Sequence, residues 1–170
     1  MVLGLCAAAI AGLAAFFVII TLEAYAEVAV AVFGFHREWP PEASDPFAIL
    51  PFYLIFGLPL ALLLCLLVGL PIWKFAESRP LRSRGDAIRL GAIAGAAIGL
   101  VFLSLNVLSG LHTFLDDSSS YDEWNWGYQI IKDGMPTPLG WLQQLSNVLN
   151  FAVAGICGGL AARWSVLRSR

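Results

Sequence analysis

Four runs of residues in this chain are long and apolar enough to cross a lipid bilayer, and few folds are open to a chain that contains them. A helix needs about 20 apolar residues to cover a hydrocarbon core roughly 30 Å thick. The run from Val2 to Leu22 holds nothing more polar than Thr21, and the run from Phe47 to Trp73 holds no charge. A third covers Ile88 to Leu111 with Arg89 at its edge, and a fourth covers Trp141 to Ala162, closed by Arg163. Backbone amides find no partner in lipid, so each run is expected to be a helix. The expected fold is an all-α membrane protein with four transmembrane helices in a single polytopic domain. Its spans are placed at about residues 2–22, 47–73, 88–111 and 141–162.

Composition agrees with this and excludes other classes. The chain is 59 % hydrophobic and 13 % charged, whereas soluble domains carry about a quarter charged residues. A cytosolic enzyme and a nucleic-acid binder are both excluded. The first run lacks the basic leader and short apolar core of a signal peptide, so it reads as a permanent span. Eight of the 10 Lys and Arg residues fall on one side: Lys74, Arg79, Arg82, Arg84, Arg89, Arg163, Arg168 and Arg170. Ten of the 12 acids fall on the other, so a net charge of only −2 conceals a strong asymmetry. By the positive-inside rule both termini are cytoplasmic. The excess of arginine over lysine, with abundant Ala, Gly and Leu, suggests a GC-rich bacterial genome, and with the four spans a bacterial inner membrane.

Helices in lipid associate through close packing of small residues. Gly91, Gly95 and Gly99 form such a stripe on the third span, and Gly155 and Gly159 form one on the fourth. Gly4, Ala8 and Gly12 repeat the spacing on the first. These faces suit internal packing, a homo-oligomer or a membrane-protein partner. The second span instead carries Pro51, Pro59 and Pro71, begins at an Asp45-Pro46 cap, and should kink at Gly57-Leu58-Pro59.

Two loops lie on the outer side. His36 to Pro46 is short and proline-rich. In the second, Ser120-x-x-Glu123 fits a capping box, and Tyr121, Trp124, Tyr128 and Ile131 fall near one helical face. With Gly134 and Pro136 as terminators, this predicts an interfacial amphipathic helix over residues 121–133, its aromatics at headgroup level.

The polar residues that need a reason gather on the outer side. Glu23 and Glu27 share a helical face one turn apart. Val28 to Phe35 is apolar again, so the first helix either protrudes toward residue 35 or slides outward and submerges both glutamates. Submerged carboxylates would handle protons, because desolvation favours the neutral form. Asn106, Asn147 and Asn150 are candidates for the same ion pathway, or with Ser104, Ser109 and Gln143 for interhelical hydrogen bonds. Glu23, Glu27, His36, His112 and Asp116 could form one carboxylate–imidazole metal site. Cys6, Cys65 and Cys157 lie within spans and form no CxxC, so no outer disulfide is expected. There is no HExxH, P-loop, Gly-rich dinucleotide turn or G-x-S-x-G, and no cofactor is indicated. The expected function is a non-catalytic accessory or structural component of a membrane assembly. The alternatives are a small transporter or channel protomer using Glu23 and Glu27, and a membrane enzyme with an outer metal site.

Overall fold

The computed structural model describes residues 2–29, 51, 53–77, 83–115, 121–125 and 128–168. The first helix, α1, spans Val2–Ala29. The second span consists of a π-helical turn Tyr53–Gly57, α2 at Leu58–Leu64, a second π-helical turn Cys65–Gly69, and α3 at Leu70–Glu77. Helix α4 runs Arg84–Leu115 and α5 runs Pro138–Arg168. Four helices are thus long and apolar enough to cross a membrane. The Asp45-Pro46 start, the loop from His36 to Pro46 and the apolar stretch 30–35 lie outside the described residues.

The helices outrun the apolar windows because capping, not hydropathy, sets their ends. At α4, the Ser83 backbone N–H and hydroxyl both donate to Asp86 Oδ2, at 3.3 and 2.7 Å. The Asp86 N–H returns a bond of 3.1 Å to Ser83 Oγ. This is a reciprocal capping box, with a short acid in the third position. At α5, Thr137 precedes Pro138, and its Oγ1 accepts the Gly140 N–H at 3.2 Å. A helix of 32 residues is about 48 Å long, well beyond the hydrocarbon core.

Helix α5 is the centre of the bundle, packed against both α4 and α1; the second span leans mainly on α1. The stripes identified in the sequence meet one another. Gly91, Gly95 and Gly99 are the buried residues of α4. A Cβ at Gly91 would strike the Gly155 carbonyl, and one at Gly95 would strike that of Phe151. On an adjacent face of α5, Gly158 lies against Ala8 and Ala154 against Gly12. The Phe151 ring stacks on Phe16 of α1 at 4.6 Å and on Phe102 of α4 at 5.3 Å. These separations suit offset stacking, and the three rings tie the three helices together.

The second span shows a repeat. Gly57-Leu58-Pro59 recurs as Gly69-Leu70-Pro71, and each copy closes a π-helical turn. Proline has no N–H to give and its ring crowds the preceding turn. At the second copy the Leu70 N–H reaches back five residues to the Cys65 carbonyl. The change of winding expected near Pro59 therefore occurs twice.

Residues 121–125 and 128–133 are not helical, which corrects both the interfacial helix and the all-α class. Glu123–Asn125 (β1), Tyr128–Lys132 (β2) and Met135–Pro136 (β3) form an antiparallel sheet in the order β1-β2-β3. Asp133 and Gly134 have φ of 50° and 80°, the paired positive angles of a type I′ hairpin, for which Asp-Gly is a favoured sequence. Gly127 would also have weakened a helix by about 1 kcal/mol. Glu123, assigned to the capping box, instead accepts a hydrogen bond from the Tyr121 hydroxyl at 2.9 Å. Its partner Ser120 lies outside the described residues.

Candidate functional site

Glu23 sits near the sheet end of α1, and Asn150 sits in the half of α5 nearer the sheet. Asn150 Nδ2 donates to Glu23 Oε1 at 2.8 Å. The bond links α1 to α5 on the exposed surface of the bundle. Two residues before Glu23, the hydroxyl of Thr21 is enclosed and has no hydrogen-bond partner among the described residues. The backbone of Glu27 lies on α1, but its side chain is outside the described residues.

The asparagines divide between two places. While Asn150 turns to Glu23, Asn106 of α4 and Asn147 of α5 line a cleft of about 340 Å³ beneath the sheet. Ser109 and Thr113 continue its α4 wall, and Gln143 and Gln144 its α5 wall. Tyr121 and Glu123 close it from the sheet. Ser104, expected to bond across helices, donates to the Leu100 carbonyl of its own helix at 2.8 Å. Thr113 likewise donates to the Ser109 carbonyl at 3.2 Å. Such back-bonding within one turn competes with interhelical pairing.

Glycines seat the sheet over the cleft. Gly110 of α4 lies against Gly134 of the hairpin, and Gly140 of α5 lies against the Ile130 carbonyl. Thr137 Oγ1 donates to the Gln129 carbonyl at 2.8 Å, and the Thr137 N–H donates to the Ile130 carbonyl at 2.9 Å. The residue that caps α5 thus also fastens β2. The Asp133 N–H donates to Asp122 Oδ1 at 2.8 Å and the Gly134 N–H to the Tyr121 carbonyl at 2.8 Å. The hydrogen bond from Tyr121 to Glu123, followed by the negative charge of that carboxylate, raises the phenol above its ordinary range.

Of the five residues considered for a metal, only Glu23 and His112 have side chains among those described. His36 and Asp116 lie outside the described residues, Glu23 bonds to Asn150, and His112 is exposed on α4. Among the described residues, no group of three or more His, Cys, Asp or Glu could hold a metal ion. Cys6, Cys65 and Cys157 are free thiols.

Reading the sequence alone missed Tyr121, Glu123 and Gln144 as cleft residues. Two local signals could have found them. Asp133-Gly134 marks a hairpin and Thr137-Pro138 marks a helix start, and together they fold residues 121–136 back over α4 and α5. Comparison with known protein families, with characterised proteins and with solved structures found no match.

Proposed function

We propose that the protein is a non-catalytic accessory or structural component of a membrane assembly in a bacterial inner membrane, with both termini cytoplasmic. One observation carries this reading. The other three spans spend their small-residue faces on one another, whereas no residue of the apolar window Leu54–Ile72 is buried. Leu63 and Leu67 are 52 % and 63 % exposed on a span whose winding is interrupted twice. An irregular, large-residue helix at the margin of a tight three-helix core suits docking to a helix of another protein. The asymmetry of Lys and Arg supports the orientation. Photocrosslinking in native membranes tests the assembly. A crosslinker at Leu63 or Leu67 should give a discrete higher-mass product, and one at Leu105 on α4 should not. Lipid adducts alone at all three positions would overturn the proposal.

A second reading is favoured by the hydrogen bond between Glu23 and Asn150, because carboxylates within spans are costly and commonly serve ion or proton movement. In a proton-conducting protomer Glu23 would carry the proton, Glu27 would share its helical face, and Asn150 would hold the carboxylate. Proton flux in liposomes, abolished in Glu23→Gln, is the expected result for that reading. Wild-type liposomes as tight as protein-free ones would remove it.

A further inference from the structure

The cleft beneath the sheet serves neither reading above, and its chemistry is specific enough to name a ligand class. Asn106, Gln143, Gln144 and Asn147 each offer one carbonyl acceptor and two N–H donors. The Ser109 and Tyr121 hydroxyls both donate and accept. Glu123 is the one ionised group among its described lining residues, and it already accepts a bond from Tyr121. No lysine, arginine or histidine is among them.

This inventory discriminates between ligands. A phosphate or carboxylate would face Glu123 with no opposing charge. A divalent cation would meet a single carboxylate, where calcium takes about six to eight oxygen ligands. An apolar ligand would satisfy none of the four amides. A sugar ring fits, since each of its hydroxyls donates and accepts, and its C–H face can lie on Tyr121, Ile130 or Ile131. The volume of about 340 Å³ suits a small polar ligand and falls at the lower end of ligand pockets, roughly 300–1,000 Å³. The roof is held in advance by the Gly110–Gly134 and Gly140–Ile130 approaches, which limits the ordering that binding would require.

We propose that this cleft binds an uncharged sugar ring, presented free in solution or at the head of a glycolipid. The test uses the full chain in phosphatidylcholine nanodiscs, free of sugar-headed detergent. In one arm glucose, galactose and N-acetylglucosamine are titrated by calorimetry. In the other, nanodiscs doped with monoglucosyl diacylglycerol are read by native mass spectrometry for bound lipid. Saturable binding is expected in at least one arm, and the arm that responds identifies the source. Binding should weaken at least tenfold in Asn147→Leu and in Gln143→Leu, and remain unchanged in Lys132→Ala, which lies outside the lining. Ser109→Ala removes one hydroxyl from the opposite wall with little risk to the fold and should weaken binding several-fold. The proposal is overturned by no saturable binding in either arm, by equal binding in wild type and all three cleft variants, or by choline or inorganic phosphate competing as well as the sugars.

Discussion

Side chains on a helix lean toward that helix's own N-terminus. Helices α1 and α5 run in opposite directions, as the Ala8–Gly158 and Gly12–Ala154 approaches require. Glu23 therefore leans back into the span while Asn150 leans toward it, and the two meet although their positions along the axis differ. The polarity of Glu23, Asn106, Asn147 and Asn150 was plain in the sequence. Their grouping was not, because it depends on the rotation of α4 and α5 about their own axes. Tyr121 read as a membrane anchor for the same reason; its hydroxyl is held by a residue two positions on, across a backbone that is not helical. That contact yields a prediction. The raised phenol of Tyr121 means that its hydrogen bond to Glu123 is fully present below pH 10.0 and is lost only as the pH rises through the higher folded value. In an ultraviolet tyrosinate titration Glu123→Ala should lower the pH at which the Tyr121 phenol ionises. An unchanged titration in that variant would disprove the contact.

Elements in this protein are delimited by caps and matched by glycines. Ser83 and Asp86 start α4 and Thr137 with Pro138 starts α5, each several residues before the hydropathy rises. Those signals were legible but subordinate to the stronger apolar pattern. The stripes were legible too, and their partners were not: identical small-residue spacing on three helices suits several pairings. In the folded chain, α5 uses two adjacent faces, one against α4 and one against α1. Gly95→Ala should therefore destabilise the protein by about 1–3 kcal/mol through overpacking, since the new methyl meets the Phe151 backbone. Gly12→Ala, where a Cβ would lie 3.3 Å from the Ala154 carbonyl oxygen, should cost less. Gly85→Ala, with only Ser83 Oγ nearby at 3.5 Å, should leave stability unchanged or slightly higher. Thermal unfolding of the three variants in one detergent would establish the order, and equal midpoints for Gly95→Ala and Gly85→Ala would refute the close α4–α5 contact.

At the scale of the whole molecule, the charged residues separate along the bundle axis. Arg84, Arg89 and Arg163 lie at one end, and the sheet with Glu123 and Asp133 lies at the other. The proposed orientation predicts that a thiol reagent unable to cross membranes labels Lys132→Cys in intact cells and reaches Arg84→Cys only after permeabilisation. The reverse pattern would invert the topology. The four long apolar helices were decided by the sequence alone, because lipid would act as a solvent on each segment separately: some twenty apolar residues must satisfy their own backbone wherever their neighbours lie. The loop between the third and fourth spans had no such arbiter. Its aromatic residues suit a helix or a strand. The sheet prevails through bonds made elsewhere, from Thr137 to the Gln129 and Ile130 carbonyls and across the glycines of α4 and α5. The same holds for the bond between Glu23 and Asn150 and for the cleft. Both require residues far apart in the chain to arrive at one height and one rotation, and only the packing of the helices against α5 sets those.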